Sequence, residues 1–211
     1  MTALFRWGSR PGVQPETAGP ADVSPPETVA ASKVLPKFLL TLARQASPVL
    51  LDLGPVVGSN VALFGERLAC KLLVQDLYQE VERGLDDDVL TVALLKRLPD
   101  EPRSVDGIAC WDVFDYLEPP VSRALARRLA RVLKAGGVLH GFFATAPSET
   151  RSYTRFIVEA DDAIRHRTYP ARPNRRRVWT PREVDRMFEG LEMTDNVLLK
   201  ANCRETLFRK A

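Results

Sequence analysis

The 211-residue chain is long enough to bury one substantial core, and its 45% hydrophobic and 27% charged residues are those of an ordinary globular protein. A formal net charge of +3 is too small to imply a nucleic-acid partner by itself. No apolar run reaches the roughly 18 residues of a membrane-spanning helix, and Met1 to Arg10 lacks a signal-peptide pattern, so a cytoplasmic protein without a membrane partner is expected. Cys70, Cys110 and Cys203 stand apart without metal-ligand spacing; reduced thiols and no metal site are expected.

In chain order, residues 1–31 read as a disordered or weakly ordered leader. Gly8 to Glu27 is rich in Pro, Gly, Ala, Ser and Thr and cannot bury enough surface to offset its ordering entropy. Residues 32–211 read as one domain. Leu35, Phe38, Leu39, Leu42 and Ala46 recur at helical spacing. Val49 to Leu53, between Pro48 and Gly54, predicts a buried strand. A helix carrying Val61, Phe64 and Leu68 follows, then a strand at Leu72–Val74. The stretch from Tyr78 to Leu98 leaves a weak strand and a further helix both open for Val89–Leu95. Asp106–Trp111 predicts a third strand, and Pro119–Pro120 opens a helix that the glycines of Ala135-Gly136-Gly137 end. Val138–Phe143 predicts a fourth strand. Thr180-Pro181-Arg182-Glu183 has the form of a capping box, and Val197–Leu199 with Thr206–Phe208 predicts an antiparallel pair. Alternating strands and helices imply a doubly wound, mainly parallel sheet, with ligands at the carboxyl ends of its strands.

Three features sit at such ends. Asp52-Leu53-Gly54-Pro55-Val56-Val57-Gly58-Ser59-Asn60 joins a strand to a helix, where glycine allows close backbone approach and the helix offers N–H donors; any tight turn could look the same. Asp76 closes the next strand, where an acid can accept both ribose hydroxyls or simply be solvated. Trp111-Asp112-Val113-Phe114-Asp115-Tyr116-Leu117 mixes acids and aromatics suited to a pocket, or else to core and solvent.

Together these runs resemble the class I S-adenosylmethionine (SAM)-dependent methyltransferases from about Leu35 to the C-terminus. Leu50–Pro55 is similar to the family's first motif, Asp76 to its ribose acid, and Asp106–Leu117 to its fourth-strand motif. Leu133–Leu139 is similar to its turn into the fifth strand, and Thr180–Val184 to its late helix. The resemblance implies a Rossmann-like, seven-stranded α/β sheet with helices on both faces and its last strand antiparallel. It implies SAM as cofactor, with Asp52, Gly54, Pro55, Gly58, Asn60, Asp76, Trp111 and Asp112 toward it. Phe114, Asp115 and Tyr116 become candidates for the substrate pocket. Val56 departs from the pattern, standing where the family commonly has glycine; it would crowd the ligand or demand a changed turn, with Gly58 and Asn60 as compensation.

The implied activity is methyl transfer to a small-molecule or protein acceptor, and a catalytically inactive binding or scaffold protein is the alternative. No asparagine-proline-proline-tyrosine run points to nucleic-acid bases, so a nucleic-acid acceptor is not favoured. No catalytic base is assigned. His140, among Val138, Leu139 and Phe142, reads as structural. The arginines between Arg165 and Arg177 read as a solvated loop or a seat for an acidic partner.

Overall fold

A computed structural model describes residues 27–148, 151–171, 176–200 and 202–211. The chain opens with β1 (Glu27–Ala31), α1 (Leu35–Ala43), β2 (Val49–Asp52) and α2 (Gly58–Val61), which continues as a π-helical turn, Ala62–Arg67. Next come β3 (Lys71–Val74), α3 (Tyr78–Val81), α4 (Asp87–Arg97), β4 (Val105–Trp111) and a 3-10 turn, Val113–Tyr116. Then α5 (Pro119–Val132), β5 (Leu133–Ala144), β6 (Ser152–Ala160), β7 (Ala163–Pro170), α6 (Pro181–Met187), β8 (Glu192–Leu199) and β9 (Cys203–Arg209) complete it.

The main sheet has the order β3-β2-β4-β5-β9-β8. Its first four strands are parallel, and β9 and β8 form the expected antiparallel C-terminal pair. Alternation along the strands splits the core. Leu51, Ile108, Leu139 and Phe208 face α4, α5 and α6, while Leu50, Ala109, Phe142 and Leu207 face α1 and β6. β4 is buried along its whole length, as a central strand covered on both faces must be. Each large side chain so buried contributes about 1.5–3 kcal/mol.

The α/β class and the C-terminal pair agree with expectation; the strand count does not. Among the described residues the main sheet has six strands, not seven. Val89–Leu95 lies in α4, where Asp87 and Asp88 occupy the first turn and Lys96 and Arg97 the last, both favourable to the helix dipole. Leu90 and Leu94, one turn apart, are its buried residues. The glycines after α5 do not cap it either. Leu133 is already extended, and Gly136 takes its positive φ inside β5.

A second sheet, β1-β7-β6, stands outside the architecture that the sequence pattern predicts. Residues 27–31, assigned to the leader, form β1 and pair with β7, while residues 1–26 lie outside the described set. Glu27 accepts an ion pair from Arg165 at 2.6 Å and another from Arg167. This sheet lies on the α1 face of the core through Phe156, Val158 and Ile164. No helix among the described residues is long and apolar enough to cross a membrane.

Candidate cofactor site

The chain runs outward from β2 to β3 and then crosses back to β4 on the other side of β2, so the switch point lies between the carboxyl ends of β2 and β4. Open α/β sheets bind ligands in that crevice. The loop after β2 and the run after β4 meet there, as the sequence predicts. Leu53, Gly54, Pro55, Asp112 and Tyr116 border a cavity together with Tyr78, Tyr153 and Thr154.

Asp52 is buried, and its Oδ1 accepts the backbone N–H of Gly54 at 2.9 Å and the Trp111 indole N–H at 2.6 Å. Burial pushes this carboxyl up to about 6, against the two donors, and the nearby Asp76 charge adds to the rise. Gly54 is needed for close approach, and the group that approaches belongs to the chain itself. A Cβ on Gly54 would stand 2.5 Å from Cδ1 and 2.8 Å from Nε1 of Trp111. Val56 does not plug the crevice; it is 64% exposed. Gly58 starts α2, exposed, with open space where a Cβ would go.

Asn60 turns to a different task. Its side-chain amide donates to the Phe156 carbonyl at 2.8 Å and accepts the Val158 N–H at 2.9 Å. It therefore pairs with the free edge of β6 as a neighbouring strand would.

Asp76 stands beside the loop after β2. The Gln75 N–H donates to the Asp52 carbonyl at 2.7 Å and the Leu77 N–H to the Leu53 carbonyl at 3.1 Å, which extends the β2–β3 pairing past Asp76. Its Oδ2 accepts from Gln79 at 3.0 Å, while Oδ1 is buried without a hydrogen-bond partner among the described residues. Such an orphan acceptor costs free energy until a donor reaches it.

The run after β4 divides. Phe114 belongs to the core, packed against Phe143 and Phe188, and does not line the cavity. Asp115 is buried too, accepting the Ala144 N–H at 2.9 Å; burial and then the charge of Asp112 hold its carboxyl well above the usual range. Asp112 and Tyr116 do reach the cavity, joined by a 3.0 Å hydrogen bond from the tyrosine hydroxyl.

Arg176, one of the arginines clustered between Arg165 and Arg177, completes this group. Its Nη2 lies 2.8 Å from Asp112 Oδ2 and 3.0 Å from the Tyr116 oxygen, and it also bonds to Thr154. The neighbouring arginines are internally paired as well. Arg165 bridges Glu27 and Glu159, Arg167 meets Glu27, and Arg177 lies over Trp179. Arg172 and Arg175 lie outside the described residues. His166 is held at about 4 by burial and then by Arg176. His140 is structural in its contacts, fully buried with Nε2 2.8 Å from Glu205.

An adenosyl cofactor does not fit the site as arranged. The orphaned Asp76 oxygen suits a ribose hydroxyl, but Trp111 covers Gly54, and the remaining cavity of about 20 Å³ holds about one water molecule.

No protein-family model matches the chain, and no curated protein matches its sequence. Solved structures do match its fold. A SAM-dependent methyltransferase from Clostridium acetobutylicum superposes with a TM-score of 0.52 at 13% identity, covering 84% of this chain and 91% of its own. The Burkholderia thailandensis 1,6-didemethyltoxoflavin-N1-methyltransferase, solved with bound 1,6-didemethyltoxoflavin and S-adenosylhomocysteine, gives 0.50 at 15% identity, covering 85% and 77%. The [4+2]-cyclase SpnF gives 0.52 at 12% identity, covering 84% and 80%. The chain thus has the fold of the class I SAM-dependent methyltransferases. The cyclase shows that this fold serves other chemistry too.

Proposed function

We propose that the chain is a SAM-dependent methyltransferase with a small-molecule or protein acceptor. The observation that carries this reading is Asp76, beside the loop after β2 with one carboxylate oxygen buried and unpaired. The exposed position of Val56 supports it, because the variant residue leaves the crevice free of its side chain. SAM, when bound, would bring a methyl group already activated on sulfur, and the protein's share would be positioning and exclusion of water. No base is assigned, and His140, tied to Glu205 in the core, is not a candidate. A nucleic-acid acceptor finds little support, since Arg165, Arg167, Arg176 and Arg177 have partners inside the protein.

A second reading, a scaffold that does not take the cofactor, is favoured by one observation, the Trp111 side chain on Gly54. Calorimetric titration with S-adenosylhomocysteine separates the two. Micromolar binding that Asp76→Ala weakens at least tenfold supports the enzyme. Absence of heat at millimolar ligand, in the wild type and in a variant without the indole, leaves the scaffold.

A further inference from the structure

We propose that Trp111 is a gate on the glycine loop: a ligand reaches the backbone at Gly54 only after the indole has left it. The inference rests on the cofactor reading above and adds to it what controls entry.

Glycine at position 54 leaves the loop backbone bare, and a single side chain covers it. Trp111 Cδ1 and Nε1 lie 2.5 and 2.8 Å from where a Cβ would stand, so the indole and a ligand seated on that face of Gly54 exclude each other. Two contacts hold the ring, and a third supports its stacking partner. Its N–H donates to Asp52 Oδ1 at 2.6 Å, the same oxygen that receives the Gly54 N–H. One face stacks on Phe156, with centroids 5.4 Å apart and planes 8° from parallel. Phe156 in turn stacks on Phe142 at 4.7 Å and 4°.

The backbone beneath the ring is itself strained. Trp111 has φ of +50°, in the left-handed region that suits glycine, and the β4–β5 register shifts between Ala109 and Trp111. A bulky residue keeps such a conformation only where its surroundings impose it. The contacts hold the indole in place over a strained backbone, and an opening in which φ also relaxes would recover that strain. A ligand bearing an ammonium group competes directly for the Asp52 carboxylate that the indole now engages.

The cover over the gate is fastened elsewhere. Asn60 holds the edge of β6, Arg176 ties Thr154 to Asp112, and Tyr153 stacks on Tyr78 at 4.6 Å. These fastenings of β6 do not involve the indole, whereas the side-chain atoms nearest a Cβ on Gly54 are those of Trp111.

Stopped-flow mixing with S-adenosylhomocysteine, paired with calorimetry, tests the gate on the wild type, Trp111→Phe and Trp111→Gly. Phenylalanine keeps an aromatic ring in the core but lacks the N–H. Glycine removes the cover and suits the positive φ. Circular dichroism establishes which variants are folded, and Trp111→Phe carries the test if Trp111→Gly is not. The expected result is a wild-type rate that levels off as ligand rises, because opening limits it. The variants should show rates that climb linearly and affinities at least tenfold tighter. Equal affinities and linear rates in all three proteins overturn the gate while leaving the cofactor reading intact. No binding by any folded variant overturns the cofactor reading, and the gate with it.

Discussion

The two sides of the crevice differ in how their polar groups are used. On the β3 side, Asp76 keeps a buried oxygen without a partner. On the β4 side, every group that reaches the crevice is engaged: Trp111 with Asp52, Tyr116 with Asp112, and Arg176 with Asp112, Tyr116 and Thr154. One side is unfinished until a donor arrives; the other is finished by the protein itself. Residues poised for a ligand contribute little to the fold, whereas residues satisfied internally hold it together, and substitution should separate the two.

The largest effect is expected at Arg176. Replacing it with alanine leaves the Asp112 carboxylate buried without its cation, which should cost about 3–5 kcal/mol in urea denaturation. A loss below 1 kcal/mol would mean that the β4 side is not held by this pair. Asn60→Ala comes next. It strips both partners from the edge of β6, leaving the Phe156 carbonyl and Val158 N–H unpaired, and should cost about 2–4 kcal/mol. Loss of amide-exchange protection confined to β6 and its neighbours would locate the damage.

Asp52→Asn should act in the opposite direction. Asp52 titrates near 6, above its ordinary 3.8, so its contribution to stability is complete below about pH 4 and is lost as pH rises through 6. Asparagine keeps the one oxygen that accepts both N–H groups. The variant should match the wild type at pH 4 and exceed it by about 2–3 kcal/mol at pH 7. Parallel melting curves across that range would show that the carboxyl is not desolvated. The smallest effect is expected on the other side of the crevice. Asp76→Ala loses one exposed bond from Gln79 but also removes the unpaired buried oxygen, two changes of opposite sign, and should move stability by no more than about 1 kcal/mol, while its effect on S-adenosylhomocysteine binding is large. A Tm shift without a binding change would reverse the comparison.

Much of the architecture was legible because it follows from periodicity and punctuation. Apolar runs such as Val49–Leu53 and Asp106–Trp111 can only be buried strands in an alternating pattern, and Thr180 with Glu183 forms the capping box that their spacing announces. The α4 segment could not be decided by pattern alone, since a short apolar run suits strand and helix alike. Its charged ends tipped it to helix. The β6–β7 hairpin was legible in principle, because Thr154, Phe156 and Val158 alternate inward before the turn at Asp161-Asp162. The clustered arginines of β7 hide it, because such a cluster looks like solvated charge while its partners, Glu27 and Glu159, lie across the sheet.

The site was legible in position and less so in partnership. The loop after β2 and the run after β4 do converge, because the topology compels it. That Asn60 would serve β6, and that Trp111 would lie on Gly54, depended on the hairpin's placement. Such contacts span 96 to 98 residues for Asn60 and 59 for the Trp111–Asp52 bond, and no local signal announces them.

Hydrogen exchange of the Trp111 indole N–H, resolved by nuclear magnetic resonance and assigned by Trp111→Phe, tests the central claim most directly. Strong protection in the free protein that disappears when S-adenosylhomocysteine binds is the expected result. An indole N–H that exchanges freely before ligand is added, or stays protected in the saturated complex, would contradict it.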